Sequence, residues 1–395
     1  MEPGYVGGRS EDIGWGRRAR LMLELAAVPR RVRLPTSPVR DDPASPRRWA
    51  MLVSERYSLP ILRPVAARAL ARGDQVAWIV RDALAPALGP DETRVRSFAA
   101  LRSFAPEAVF ATVDRIPPWL PGLQVQLFHG LNLHKRDPSL GQFRMQDLYD
   151  LYCTHGPATT QPLQALAHDH GGFVVVETGW PKLDPLFRAP GQGAHEMRRV
   201  AAGRPVVMYA STFNAPLSQA PECLPVIAAL VARGDRYWLL TLHPMAPPAL
   251  RDRYRRLAGP HACFVETEDM TDMLHAADVL VCDTSSVIEE FALLGKPVVA
   301  VRHRRPQAFM HAVSAPQAID AAVSAALADP QQRRAHADAY TAGLHPARDG
   351  GAADRVLDAA AAVLRGAHVA VRPRRRPLWR RAWRSWRMLR ELLPG

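Results

Sequence analysis

The sequence predicts an α/β protein of two domains, each a parallel sheet wrapped by helices, and three observations carry that prediction. Short β-rich runs that are apolar on both faces alternate with helical runs along most of the chain. The alternation lapses between Leu186 and Arg204, where Gly, Pro and Arg accumulate, and then resumes. A length of 395 residues also exceeds what one hydrophobic core usually serves.

Residues 1–47 are rich in Gly, Pro and Arg, hold one short helical pattern at Arg18–Val28, and read as a poorly ordered leader. A first domain, 48–190, opens with a strand at Trp49–Val53, a polar turn, a helix over Pro60–Arg72 closed by Gly73, and a strand at Gln75–Val80, which is one parallel βαβ unit. Further strands are predicted at Ala108–Thr112, Gln124–Phe128, Leu151–Thr154 and Phe173–Glu177, with a helix around Gln161–His168. A second domain, 200–365, repeats the rhythm: strands at Val206–Tyr209, Tyr237–Leu242, Cys263–Glu266, Val279–Cys282 and Val298–Val301, separated by helices near Leu224–Arg233, Pro248–Leu257, Met270–Ala276 and Ser286–Leu294. Alanine-rich helices at Pro316–Leu327 and Ala352–Leu364 finish it.

Apolar residues make up 48% and charged residues 23%, a globular balance that excludes a disordered chain. The net charge of +13 is concentrated in a tail, 366–395: from Arg372 onward nine arginines face one acid, Glu391, and hold +8 of it. There Trp379, Trp383, Trp386, Leu389 and Leu393 recur at helical spacing with Arg380, Arg381, Arg384 and Arg387 opposite. That pattern reads as a basic amphipathic helix for an anionic membrane surface, in preference to nucleic acid or docking on a protein. Four scattered cysteines without CxxC spacing read as reduced thiols. With no signal-peptide pattern and no long apolar run, the expected location is cytoplasmic, peripheral on the inner face of the cell membrane.

The strongest local signal is the run Val279-Leu-Val-Cys-Asp-Thr-Ser-Ser-Val-Ile-Glu-Glu. A strand ends at Asp283, and Thr284, Ser285 and Ser286 lead into a helix whose first N–H groups suit a phosphate. A capping box between Ser286 and Glu289 is the other reading of these hydroxyls. Glu290 lies one turn beyond Ser286, where it would reach a nucleotide's ribose hydroxyls or simply be solvated. Thr212, at the first turn of the second domain, is a further phosphate-facing position. His129 ends the strand Gln124–Phe128, and Gly130 would let the backbone turn and present the imidazole as a general base. His243, before Pro244, would stabilise charge on a departing phosphate. Gly130 itself is a candidate acceptor or phosphate contact, and Arg136, within the basic run His134-Lys-Arg, would meet an anionic acceptor or solvent. His168-Asp-His sits where its side chains diverge on a helix, so no metal and no cofactor is expected.

The segment Asp283-Thr-Ser-Ser with its helix and Gly295-Lys-Pro, together with Phe128-His-Gly, Gly179-Trp-Pro-Lys-Leu-Asp and Leu242-His-Pro in that order, resembles the CDP-glycerol glycerophosphotransferase family over roughly residues 50–305. The resemblance implies a GT-B fold, two Rossmann-like domains facing across a cleft. It further implies a donor site formed by Thr212, Asp283, Thr284, Ser285, Ser286 and Glu290, catalytic roles for His129 and His243, and a phosphate contact for Lys182. Two departures stand out: Asn214 where the family tends to carry arginine, and Leu183 in place of a polar residue. The implied reaction moves a polyol phosphate from a CDP-polyol donor to a lipid-linked or polysaccharide acceptor. A GT-B glycosyltransferase using a nucleotide sugar is the alternative, and a non-catalytic membrane-bound assembly factor is a more distant one.

Overall fold

The computed structural model describes residues 45–114, 116–117, 120–131, 149–267 and 269–367. Most of the expected leader, Arg136 with its basic loop, and the amphipathic helix of 372–395 lie outside the described residues.

The first half runs β1 (Arg48–Val53), α1 (Leu59–Ala71), β2 (Gln75–Val80), α2 (Phe98–Phe104), β3 (Ala108–Ala111), β4 (Leu123–Gln126), β5 (Leu151–Thr154), α3 (Pro157–His170) and β6 (Val174–Glu177). The second runs α4 (Gln192–Ala201), β7 (Val206–Ser211), α5 (Ala220–Arg233), β8 (Tyr237–Leu242), α6 (Pro248–Arg255), β9 (Ala262–Phe264), α7 (Thr271–Ala276), β10 (Val279–Cys282), α8 (Val287–Ala292), β11 (Val298–Val301), β12 (Met310–Val313), α9 (Ile319–Ala328), α10 (Arg334–Leu344) and α11 (Ala352–Leu364). Two six-stranded sheets result, ordered β2-β1-β3-β4-β5-β6 and β12-β11-β10-β7-β8-β9. Every pairing in them is parallel. All six residues of β7 and of β8 are buried, which explains why these strands read as unbroken apolar runs. This is the GT-B type of fold.

In each sheet the chain starts in the middle, builds to one side and then returns to build the other. The reversal falls between β1 and β3 in the first sheet and between β7 and β10 in the second. At such a point the loops leaving the two neighbouring strands diverge to opposite faces and open a crevice at the carboxyl edge. The candidate residues converge on these two places.

Four elements differ from the sequence expectation by their presence: α2, α4, α10 and β12. Helix α4 lies within the stretch read as aperiodic, because Pro190, Gly191 and Gly193 at its start mask its pattern. A larger difference concerns α11, expected to finish the second domain. It packs instead on α1, β4 and β5 of the first sheet. Asp354 pairs with Arg68 at 2.8 Å and Arg72 at 2.6 Å, and Asp358 with Arg72 at 2.6 Å. The α11 N-terminus is capped from a distance: the amides of Ala352 and Ala353 donate to the two oxygens of Asp184 at 2.8 and 2.7 Å. The Asp that ends Gly179-Trp-Pro-Lys-Leu-Asp is therefore a fastening between the chain's middle and the last of the described helices. Gly179 has φ 79°, and a Cβ there would meet His345 Nε2 at 3.0 Å and Ala352 Cβ at 3.1 Å, so glycine is required. Leu183, the departure from the family pattern, is buried in the same core. Among the described residues no helix is long and apolar enough to cross a membrane.

Two buried histidines hold this region. His155 Nε2–H donates to the Leu127 carbonyl at 3.2 Å, and His345 Nε2 accepts the Trp180 amide at 2.8 Å. Burial lowers their pKa values from 6.5 to about 3 and about 4. The unfolded chain therefore binds more protons below pH 6.5, and stability falls as pH drops from there toward 4. At pH 5 the loss should be about 2 kcal/mol per histidine. Urea unfolding at pH 7.5 and 5.0 should show the corresponding fall in midpoint; an unchanged midpoint contradicts neutral burial of these rings.

Candidate active site

Cys282 pairs in register with Ala210, so Asp283 follows directly beside Ser211 at the second reversal point. The residue is 2% exposed. Oδ2 accepts from the Ser211 hydroxyl and from the Gln219 amide at 3.0 Å, while Oδ1 accepts from the Thr212 amide at 2.9 Å. Burial pushes the carboxyl above its usual range, and the Ser211, Gln219 and Thr212 donors pull it back. Asp283, expected among the donor contacts, thus spends both oxygens tying the end of β10 to the loop between β7 and α5. It is a positioning residue.

Thr284 is also buried, and its hydroxyl accepts the Arg304 amide at 3.1 Å. Ser285 and Ser286 are half-buried. No capping box forms: Ser286 has φ −70° and ψ −9° and makes no side-chain cap bond. The Ser286 hydroxyl is thereby left for other use. Helix α8 is only six residues long, so its dipole is small. Lys296 of Gly295-Lys-Pro is structural, donating to the carbonyls of Leu274, His275 and Ala277 at 2.8–2.9 Å and closing the end of α7.

The two histidines sit at the carboxyl ends of β8 and β4, both exposed. An amide N–H can only donate, so His243 Nδ1, 3.1 Å from the Met245 amide, accepts, and the neutral ring carries its proton on Nε2. His243 packs on Phe213 with ring centroids 4.3 Å apart, beside Thr212. While the Met245 bond is made the ring is neutral and its Nε2–H is a hydrogen-bond donor. At His129 the assignment is reversed. A carbonyl can only accept, so Nδ1–H donates to Thr112 O at 2.9 Å, and in the neutral ring the lone pair falls on Nε2. Tyr57, after β1, packs on the ring at 5.1 Å. Thr112 follows β3, so His129 lies over the reversal point of the first sheet.

The turn that places His129 is made by Phe128, not by Gly130. Phe128 has φ 58°, whereas Gly130 is not in the left-handed region. A bulky residue holds such a conformation only when its surroundings impose it. Here the buried ring packs on Tyr152 and His155 at 6.0 and 5.6 Å, and the Phe128 amide donates to Gln126 Oε1 at 3.1 Å.

Lys182 and Glu290, expected to reach phosphate and ribose, instead meet each other at 2.5 Å, with side chains 15% and 6% exposed. The pair bridges the segment after β6 to helix α8 and joins the two halves. Three further groups escaped the sequence reading: Ser211 and Gln219, whose bonds to Asp283 span 72 and 64 residues, and the arginine-rich turn after β11. Only the last left a local signal, Arg302-His-Arg-Arg-Pro at a strand end.

Substituting Asp283→Asn leaves an amide facing the Thr212 or Gln219 N–H and should cost about 1–3 kcal/mol of stability. A thermal midpoint equal to wild type contradicts its positioning role. Lys182→Met strands a buried carboxylate and should cost about 3–5 kcal/mol, much of it recovered in Lys182→Met/Glu290→Leu. If Lys182 acts on the donor instead, the single variant keeps its stability and loses nucleotide affinity.

The model of the family described as CDP-glycerol:poly(glycerophosphate) glycerophosphotransferase matches residues 70–303. Among solved structures the chain is similar to the wall teichoic acid polymerase TagF, with a TM-score of 0.62 and 15% identity over 81% of this chain and 89% of that one. It is also similar to MnaA of S. aureus, solved with UDP, with a TM-score of 0.54 and 14% identity over 80% and 97%. These identities speak for the fold alone. No curated protein sequence matches. On the family match, which takes in His129, His243 and the segment Asp283–Ser286, the chain belongs to the CDP-glycerol:poly(glycerophosphate) glycerophosphotransferase family.

Proposed function

We propose that the chain transfers glycerol phosphate, or a related polyol phosphate, from a CDP-activated donor to a hydroxyl of a lipid-linked or cell-surface polysaccharide acceptor, releasing CMP. The observation that carries this reading is the opposed role of Nδ1 on the two histidines, a donor to the Thr112 carbonyl in His129 and an acceptor from the Met245 amide in His243. TagF has been solved after soaking with CDPG, which supports the choice of donor class.

In the proposed step His129 Nε2 takes the proton of the acceptor hydroxyl, whose oxygen attacks the β-phosphorus of the donor. The bond between that phosphorus and the oxygen bridging to the α-phosphate breaks, and CMP departs with the electron pair. The His129 cation is stabilised by its Nδ1–H bond to Thr112 O. His243 Nε2–H would hydrogen-bond the oxygen on which charge develops, and the Ser285 and Ser286 hydroxyls would hold the diphosphate. The tryptophan- and arginine-rich segment 372–395 would keep the enzyme at an anionic membrane surface, where a lipid-linked acceptor lies.

The test is a donor screen by calorimetry and turnover with CDP-glycerol, CDP-ribitol, UDP-sugars and GDP-sugars. CDP-polyols should bind and release CMP, and His129→Ala should slow CMP release by about 10²–10⁴-fold with donor binding retained. Selective binding of a nucleotide sugar replaces this reading with the glycosyltransferase.

A further inference from the structure

We infer that Arg304 and Arg305, on the turn after β11, provide the cationic contacts to the donor's diphosphate; the inference rests on the reading of this edge as a CDP-polyol site. Strand β11 neighbours β10, so its carboxyl end opens beside Asp283–Ser286 on the same sheet edge. The turn is fastened to that segment, since the Arg304 amide donates to Thr284 Oγ1 at 3.1 Å. Arg302 reaches the other way, to Gln219 Oε1 at 3.3 Å, and Gln219 in turn donates its amide to Asp283. The turn thus spans the crevice between the loops of β10 and β7.

The charge balance of this edge demands a cation. A diphosphate brings at least two negative charges, and Asp283 adds a carboxylate behind the site. The six-residue α8 contributes little dipole, and the serine hydroxyls are neutral. Lys182 is consumed by Glu290. Arg304 and Arg305 are both exposed, and their guanidinium groups have no acceptor among the described residues. A guanidinium presents a planar fork that matches two phosphate oxygens at once.

The backbone agrees. Arg302 holds φ 45°, a left-handed conformation that a non-glycine residue keeps only where its surroundings impose it. The constraint comes from its Nε bond to Ser314 O at 3.0 Å and its amide bond to Val313 O at 2.8 Å. Beyond it, His303 Nδ1 accepts the Arg305 amide at 3.1 Å and tightens the turn. Burial lowers the pKa of His303, so its ring stays neutral and keeps accepting.

The experiment measures binding of CDP-glycerol, CDP and CMP to the full chain by calorimetry, for wild type, Arg304→Ala/Arg305→Ala, the corresponding double lysine variant, and Arg253→Ala, an exposed arginine on α6, as control. The double alanine variant should lose about 10- to 100-fold in affinity for CDP and CDP-glycerol and less for CMP, with an unchanged thermal midpoint. The lysine variant should recover part of the loss, and Arg253→Ala none of it should show. If wild type binds CDP-glycerol and the double variant binds it equally well, the inference is overturned while the donor reading stands. If wild type binds no cytidine nucleotide, the donor reading itself fails and takes the inference with it. Equal losses for CDP and CMP with a lowered thermal midpoint would assign the arginine side chains to holding the turn itself, and also overturn it.

Discussion

The second half of this protein depends on one buried carboxylate. Asp283 stands where two neighbouring parallel strands send their loops in opposite directions, and it is the group that stops those loops from drifting apart. Its three donors come from the strand end at Ser211, the loop at Thr212 and the start of α5 at Gln219. Through Thr212 it sets Phe213, on which His243 packs. Through Gln219 it reaches Arg302, and through the chain itself it sets Thr284, to which the Arg304 amide is bound. A carboxylate is suited to this task because it offers several lone pairs to donors converging from different elements, and it remains buried because those donors replace the water it loses.

The first half is organised by the same geometry with different chemistry. At the first sheet's reversal point the strained Phe128 replaces a glycine as the turning residue, and the Thr112 carbonyl sets the tautomer of His129. On the other sheet the Met245 amide sets the opposite tautomer on His243. Two backbone groups, one an acceptor and one a donor, thus distinguish two otherwise identical imidazoles. That is how the proposed transfer assigns one as base and the other as hydrogen-bond donor. The junction between the halves rests on Lys182–Glu290 and on Asp184 at the α11 N-terminus.

Strands such as β7, β8 and β10 were legible in the sequence because burial on both faces writes an unbroken apolar run. The hydroxyl segment after β10 was legible because strand, small polar residues and helix follow within a few positions. What stayed hidden depends on contacts between distant residues. Glu290 reads as a solvated or ribose-facing helix carboxylate until Lys182, 108 residues earlier, is placed against it. The box pattern of Ser286 and Glu289 is locally sound, yet Ser286 sits at helical φ and ψ and caps nothing. Gly130 attracted the turn because glycine tolerates it, whereas tertiary packing imposed it on Phe128. Helix α11 has an ordinary helical pattern, and only its packing on the first sheet and its ion pairs to Arg68 and Arg72 show which half it serves.

The most direct test of the account is a crystal structure of the chain with CDP-glycerol bound. The account requires the diphosphate at the second reversal point, between the Ser285–Ser286 hydroxyls and the turn carrying Arg304 and Arg305. It also requires His243 Nε2 on a phosphate oxygen and the glycerol phosphate directed toward His129. A nucleotide bound away from that edge, or one whose β-phosphorus faces away from the first sheet, would contradict it.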